Sequence, residues 1–209
     1  MKTNMKLSLY FLFCGILLLG SCETSKKEIE MAEAEKPTLF TLLPSDSTGI
    51  DFINFVENQK DFNIFKYRNF YNGGGVALGD INNDGLVDIF LTGNMVPNRL
   101  YLNKGDFRFE DISEKAGVTG NKPWSTGVGM ADINADGLLD IYVSNAGNME
   151  GNNHDNDLYI NNGDLTFTES ANDYNLAETG FTTHATFFDY DKDGDLDAYI
   201  LNNSNIPVS

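Results

Sequence analysis

A nine-residue acidic segment that occurs three times constrains this chain more than any other feature of its sequence. The copies cover residues 80–88, 132–140 and 189–197. Each consists of an Asp, a hydrophobic residue, Asn or Asp, any residue, Asp, Gly, two further residues and a final Asp. A segment this specific, repeated at similar intervals, is typical of a repeat architecture. The sequence therefore predicts a fold built from copies of one structural unit.

The oxygen-bearing side chains of these three segments, which we call the acidic loops, have a spacing suited to a hard cation. Calcium takes about six to eight oxygen ligands, and a short loop can supply them from alternate positions when a Gly at position 6 allows a sharp turn. We predict about three Ca²⁺ sites, with side-chain ligands at positions 1, 3, 5 and 9 and a backbone carbonyl at position 7. The predicted ligands are Asp80, Asn82, Asp84, Leu86 and Asp88; Asp132, Asn134, Asp136, Leu138 and Asp140; and Asp189, Asp191, Asp193, Asp195 and Asp197.

An EF-hand and a solvated turn are the two alternatives to this interpretation of the acidic loops. An EF-hand needs a Glu at position 12 and flanking helices, but position 12 is Leu91, Val143 or Ile200 and the flanks are β-like. A solvated turn is the alternative for any single copy, because Asp, Asn and Gly favour turns for conformational reasons. Three copies in register favour metal binding.

Short segments with β character follow the same order around the acidic loops. A small-residue segment precedes each loop, a β-branched and aromatic run follows it, and a third segment, a turn and a fourth segment come next. The segments before the loops are 75–79, 127–131 and 185–188, and those after the loops are 89–92, 141–144 and 199–201. The third segments are 99–102 and 157–160, the turns are 103–106 and 161–164, and the fourth segments are 107–110 and 165–168. The Asn162–Gly163 pair predicts a type I′ turn.

Four antiparallel strands in a unit of about 55 residues predict an all-β fold, a β-propeller of four-stranded antiparallel blades. Propellers usually have about 4–8 blades, whereas this sequence holds about three units and ends after the second strand of the third. We therefore expect an N-terminal fragment of about three blades. Residues 38–43 are expected either to form the fourth strand of a last blade or to cap the repeat without such a partner.

The run Gly-Val-Gly-Met-Ala-Asp-Ile-Asn-Ala-Asp-Gly-Leu-Leu-Asp at 127–140 resembles the FG-GAP repeat of integrin alpha-subunit propellers and the related VCBS repeats of bacterial surface proteins. Phe-Tyr-Asn-Gly-Gly-Gly at 70–75 further resembles bacterial relatives of cartilage acidic protein, which combine such repeats with an ASPIC/UnbV domain. No segment of that domain is visible in this sequence. The resemblance implies that each acidic loop holds calcium between the first two strands of a blade.

The first residues have the pattern of an export signal. Lys2 and Lys6 precede the apolar run 7–19, which is shorter than the about 20 residues of a membrane-spanning helix. Leu-Gly-Ser-Cys at 19–22 resembles the lipobox of bacterial lipoproteins, and this resemblance implies a lipid-bearing Cys22. An ordinary secretory signal with an incidental Cys is the alternative.

These patterns divide the chain into four predicted segments. They are a lipoprotein signal peptide at 1–21, the lipidated Cys with a charged tether at 22–37, an N-terminal strand and aromatic lead-in at 38–75, and the FG-GAP/VCBS-type repeats at 76–209. We expect a chain anchored by lipid at Cys22 in the bacterial cell envelope, at the outer membrane.

The charge and the composition of the chain exclude several classes of partner and of catalytic site. The excess of 31 acidic over 14 basic residues excludes a nucleic-acid partner. Cys14 would be removed with the signal peptide and Cys22 would be acylated, so no thiol remains for catalysis. His154 and His184 do not form a zinc or catalytic set. Trp124 is expected to pack between blades, with a sugar-stacking platform as the alternative. The aromatic residues Phe52, Phe55, Phe62, Phe65, Tyr67, Phe70 and Tyr71 are expected in the core, with a ligand platform as the alternative.

The predicted function is a non-enzymatic binding or adhesion scaffold with an extracellular protein or glycan as its ligand. The ligand is expected on the rim opposite the acidic loops, where the loop 145–156 is the first candidate; a mobile insertion is the alternative for this loop. The second hypothesis is the propeller domain of an envelope enzyme that acts on polysaccharide. It requires paired carboxylates, or a base facing a Lys or Arg, and no such set is recognisable in the sequence.

Overall fold

Ten short strands and two one-turn helices form the regular structure of residues 39–147 and 153–203, which the computed structural model describes. The predicted signal peptide, Cys22 and the tether lie outside these residues, as does the middle of the loop 145–156. Leu43–Ser209 is one compact unit. Neither helix of the described residues has the length and apolarity that crossing a bilayer requires.

The strands pair in chain order and every pairing is antiparallel. The first sheet, blade 1, contains β1 Val76–Gly79, β2 Asp88–Leu91, β3 Arg99–Asn103 and β4 Phe109–Asp111. Blade 2 contains β5 Ser125–Ala131, β6 Asp140–Asn145, β7 Asp157–Asn161 and β8 Phe167–Glu169, and the third sheet contains β9 Phe181–Phe188 and β10 Asp197–Asn203. Helix α1 is Ser45–Thr48 and α2 is Ser113–Ala116. The predicted all-β fold of four-stranded antiparallel blades is confirmed.

The first strands of successive sheets lie side by side, because β1 contacts β5 and β5 contacts β9. Two glycines allow this approach. A Cβ on Gly75 would lie 2.6 Å from the carbonyl oxygen of Thr126, and one on Gly127 would lie 2.4 Å from that of Thr183. The small residues at the start of the predicted first strands are therefore required where neighbouring sheets meet.

Blades 1 and 2 share a core formed by alternate residues of their central strands. Phe90, Leu100, Ile141 and Val143 are completely buried in it, and Ile81 of the first acidic loop joins them. Fully burying such a side chain stabilises the fold by about 1.5–3 kcal/mol. The core thus holds the first two acidic loops next to each other at one rim.

A second cluster surrounds Trp124, and it corrects part of the aromatic prediction. Tyr67 and Phe70 are buried there, and Phe62 is half-buried with its ring centroid 4.7 Å from that of Trp124. Phe55, Phe65 and Tyr71 were predicted in the core but are exposed by 59%, 92% and 60%. The segment carrying them is irregular, so only the rings facing Trp124 find an apolar partner.

The turns before β4 and β8 also differ from the prediction. Phe107 and Leu165 were expected in strands, but both have positive φ and belong to the turns. A type I′ turn at Asn162–Gly163 is wrong, because Asn162 is not among the residues with positive φ. The Asn161 side chain accepts the N–H of Gly163 at 2.9 Å, and this local bond selects a longer turn.

The N-terminal strand expected over 38–43 is not formed at residues 39–43, and residue 38 lies outside the described residues. A segment becomes a strand only by pairing its backbone with another. Blade 1 takes all four of its strands from residues 76–111, and the expectation that 38–43 supplies a strand to a different, last blade stays a prediction.

Candidate functional site

The three acidic loops share one backbone conformation. Position 4 has positive φ in each, with values of 57° at Asn83, 59° at Ala135 and 66° at Lys192. Position 6 has positive φ as well, and a Gly occupies it in all three copies: Gly85, Gly137 and Gly194. Ala and Lys rarely adopt this conformation, so the surrounding loop imposes it. The repeated sequence therefore specifies a repeated backbone shape.

Backbone N–H groups organise the carboxylates at positions 1 and 5. In the first loop Asp80 accepts the N–H groups of Asp84 and Gly85 at 3.1 and 2.7 Å. In the second loop Asp132 accepts those of Asp136 and Gly137 at 3.0 and 2.9 Å. The position-5 carboxylate in turn accepts the N–H of position 7. The position-1 and position-5 carboxylates are thus held on the inside of each bend.

The carboxylate at position 9 ties each of the first two loops to its blade. Asp140 is completely buried and accepts the N–H of Ile133 at 2.8 Å and that of Asn161 on β7 at 2.9 Å. Asp88 makes the matching bonds to Ile81 and Asn103 in blade 1. Position 9, which the sequence suggested only as a ligand, is therefore also the connection between the loop and strand three.

The third loop brings its carboxylates closest together. Oxygens of Asp189, Asp191 and Asp197 all lie within 4.8 Å of one another. Asp197 accepts the N–H of Tyr190 at 2.8 Å, but it lacks a strand-three donor among the described residues. Three carboxylate oxygens at such separations fit the first shell of a hard divalent cation, which prefers oxygen ligands.

Burial and charge shift the pKa values in these loops. Desolvation raises the pKa of Asp88 and of Asp140, against the opposing effect of the backbone N–H groups that each accepts. In the third loop, hydrogen bonding to the Asp195 N–H lowers the pKa of Asp193, whereas the Asp193 carboxylate raises the pKa of Asp195. A nearby cation stabilises the ionised form of such closely spaced carboxylates most strongly.

The turn between strands three and four lies at the same rim as the acidic loop, as predicted. The Asn103 side chain donates to the carbonyl of Val87 at 2.8 Å. The Asn161 side chain donates to the carbonyl of Leu139 within its blade at 3.1 Å and to that of Ile81 in blade 1 at 2.8 Å. Neighbouring acidic loops are also joined by the bond from Asn83 to the carbonyl of Gly137. This rim is therefore one hydrogen-bonded network.

The opposite rim carries a cavity of about 490 Å³ between the segments 94–98 and 119–125. A smaller cavity of about 270 Å³ lies on the other side of residues 119–122 and is lined by Lys122, Asp157, Tyr159 and Glu169, among others. Lys122 Nζ lies 3.2 Å from the Asp157 carboxylate, whose side chain is 3% exposed. This pair of a carboxylate and a Lys is not recognisable in the sequence, because the two residues are far apart in the chain.

The structure shows the surroundings of Trp124, His154 and His184, for which the sequence left more than one role open. Trp124 is 2% exposed, so it packs and offers no stacking platform. Its φ is 66°, a strained conformation for a bulky residue. His154 stacks on Phe181 with ring centroids 5.2 Å apart, whereas His184 is exposed on β9. The two histidines form no zinc site with other described His, Cys, Asp or Glu residues.

Comparison with known proteins agrees with this geometry. The FG-GAP-like repeat model matches residues 80–143 and 146–200, more than half of the chain. The first match begins at the first acidic loop and the second begins just after β6, and both end within the second strand of a sheet.

Cartilage acidic protein 1 from three vertebrates is also similar. The Xenopus tropicalis protein is 44% identical over 78 residues, which are 37% of this chain and 12% of that protein. The Homo sapiens protein is 41% identical over 76 residues, covering 36% and 12% of the two chains, and the Mus musculus protein is 38% identical over 73 residues, covering 35% and 11%. The chain thus aligns with only a small part of these relatives. With its two complete four-stranded blades and its matched repeats, the chain belongs to the FG-GAP-like repeat family.

Proposed function

We propose that this chain is a calcium-stabilised, non-enzymatic binding module of the propeller type, held in the bacterial cell envelope by a lipid on Cys22. Its family membership supports a propeller-like binding domain. The observation that carries the calcium proposal is the group of three carboxylate oxygens, from Asp189, Asp191 and Asp197, within 4.8 Å of one another. The other two loops support it, because they repeat the same backbone bends.

Calcium would neutralise charge where the chain concentrates it. The net charge is −17, and in the third loop the carboxylates at positions 1, 3 and 9 come within 4.8 Å of one another, whereas Asp193 at position 5 is not part of that group. The third loop has four carboxylates at the side-chain ligand positions, whereas each of the others has three and one Asn. Affinity rises with ligand charge, and extracellular calcium modules bind with dissociation constants of about 10⁻⁴–10⁻³ M. We expect the third loop to bind most tightly.

Calcium titration tests the proposal. At a calcium concentration of 100 times the dissociation constant, each site would stabilise the fold by about 2.7 kcal/mol, so Tm should rise with calcium. Isothermal titration calorimetry should show about three sites, and Asp191→Ala should remove the tightest. Asp173→Ala, an exposed Asp outside the loops, is the matched control and should leave the stoichiometry unchanged. Equal calcium uptake by Asp191→Ala and the unaltered chain would contradict the assignment.

The lipid anchor has its own test. Cys22→Ser should abolish incorporation of a labelled fatty acid and release the chain from the membrane fraction, because the acylated thiol is then absent. Cys14→Ser is the control, since this residue lies within the apolar run of the predicted signal. Membrane retention and labelling of Cys22→Ser at the level of the control would overturn the anchor.

The pairing of Lys122 with Asp157 does not favour the enzyme hypothesis. The Asp157 carboxylate also accepts the side-chain amide of Asn145 at 3.0 Å, and the Asp157 side chain is 3% exposed. A general base must reach the proton that it removes. The carboxylate is held between Lys122 and Asn145, and its bond to Lys122 attaches the segment 119–125 to β7.

A further inference from the structure

We propose that the cavity of about 490 Å³ on the rim opposite the acidic loops binds a neutral saccharide. This inference rests on the proposed binding role of the module and does not depend on calcium. The cavity volume lies in the range of about 300–1,000 Å³ that is typical of small-molecule sites. Its walls come from the loop after β2 and from the connector that leads into β5.

The first observation is a buried amide without a partner. Asn98 is 2% exposed and lines the cavity. Its Oδ1 accepts the N–H of Gly93 at 2.9 Å, but its Nδ2 has no hydrogen-bond partner among the described residues. An unsatisfied buried donor costs about 1–3 kcal/mol, so a ligand oxygen that reached this group would gain that amount.

Comparison of the two blades explains why this amide lacks a partner. In blade 2 the corresponding Asn156 donates to the hydroxyl of Tyr142 at 2.9 Å and to that of Thr182 at 3.0 Å. Tyr142 pairs with Leu158 across β6 and β7, and Phe90 pairs with Leu100 across β2 and β3. Phe90 therefore stands at the position of Tyr142 and has no hydroxyl. The corresponding amide is therefore satisfied internally in blade 2 and left without a partner in blade 1.

The second observation is the charge of the lining. The chain has 31 acidic residues, yet no Asp or Glu of the described residues 39–147 and 153–203 lines this cavity. Its polar side chains are the amides of Gln59, Asn94, Asn98 and Asn121, the hydroxyls of Thr119 and Ser125, and the ammonium of Lys122, which is already paired with Asp157 at 3.2 Å. No unpaired cation is therefore available for an anionic ligand, and the net charge of −17 disfavours one.

The apolar residues of the cavity lining also suit a saccharide ligand. Phe62 and Pro97 offer apolar surface beside the amides. A pyranose ring presents C–H faces between hydroxyl groups that both donate and accept hydrogen bonds. The combination of apolar surface, amides and an unsatisfied donor suits such a ring better than it suits a purely apolar or a charged ligand.

The test uses the full chain in calcium and a panel of neutral hexasaccharides of glucose, mannose, galactose, xylose and N-acetylglucosamine, with polygalacturonate as the anionic comparison. Saturation-transfer NMR and calorimetry measure binding. At least one neutral hexasaccharide should bind with a dissociation constant below about 1 mM. The double variant Gln59→Ala/Asn121→Ala should weaken it by about tenfold, because two hydrogen bonds are lost.

Both substituted residues are exposed, so the variant should fold, and its Tm checks this. Asn172→Ala, an exposed Asn outside the cavity, should bind like the unaltered chain. No binding across the neutral panel, unchanged binding by the double variant, or binding of polygalacturonate alone would each overturn the inference. A chain that responds to calcium but binds no saccharide refutes only this inference, whereas loss of the calcium response refutes the metal assignment.

Discussion

Lys122→Met should destabilise the fold by about 3 kcal/mol at pH 7, because it leaves a buried carboxylate without its counter-charge. Lys122 Nζ lies 3.2 Å from Asp157, 3.7 Å from the Asp155 carboxylate and 3.0 Å from the Asp155 carbonyl oxygen. Met preserves the length and apolar character of the stem, so the loss isolates the charge. Urea denaturation at pH 7 measures the change in the free energy of unfolding.

The pH dependence of this deficit separates charge from packing. Burial raises the pKa of Asp157 above 3.8, and Lys122 opposes that rise, so the variant should raise this pKa further. A raised folded pKa means that the folded chain holds the proton more tightly than the unfolded chain does. The deficit is therefore complete above the folded pKa and shrinks as pH falls towards 3.8. A deficit that stays constant with pH would contradict the argument.

Lys104→Met is the matched control. Lys104 lies 3.5 Å from Glu110, but the two side chains are 53% and 59% exposed. Exposed pairs contribute about 0–1 kcal/mol, so this substitution should change stability little at any pH between 4 and 7. A loss as large as that of Lys122→Met would show that removing any Lys charge destabilises this chain.

Asp140→Ala should cost about 3 kcal/mol even when calcium is removed with EDTA. The substitution leaves the N–H groups of Ile133 and Asn161 without the carboxylate that they share. Each buried donor without a partner costs about 1–3 kcal/mol. The ionised carboxylate itself carries a desolvation cost, seen in its raised pKa, and this cost offsets part of the loss. Thermal and urea denaturation in EDTA measure the effect.

Asp136→Ala in the same loop is the control that distinguishes the structural bond from metal binding. Asp136 is exposed, so its removal should change stability only slightly in EDTA. In millimolar calcium both variants should lose the stabilisation contributed by the second loop. If Asp140→Ala were as stable as Asp136→Ala in EDTA, position 9 would serve the metal alone and would not connect loop and blade.

The acidic loops were predictable from sequence because their information is local. Gly at position 6 permits the positive φ that the bend requires, and alternate Asp and Asn residues place their oxygens on one side of it. The strand order was predictable for the same reason, since alternating hydrophobic runs and short turns specify antiparallel neighbours. The local predictions at Asn162 and Phe107 were wrong, because a side chain bonds to the backbone in these turns and gives them a different geometry.

The features of the opposite rim could not be predicted, because they join residues from different units. Asp157 on β7 pairs with Lys122, which lies in the segment between the two blades. The amide of Asn98 lacks the Tyr hydroxyl that its counterpart has in blade 2, because Phe90 stands at that position. Likewise Trp124 is buried because residues 62–70 fold over it.

By itself, the sequence determined the repeat, the bends of the acidic loops and the order of strands within each blade, since each follows from short segments whose pattern can be recognised without knowing what they pack against. Only the tertiary structure decided which carboxylates are buried and connect a loop to its blade, which charges are paired and where a cavity opens. Those properties depend on desolvation and on contacts between blades, and neither exists until the sheets pack together.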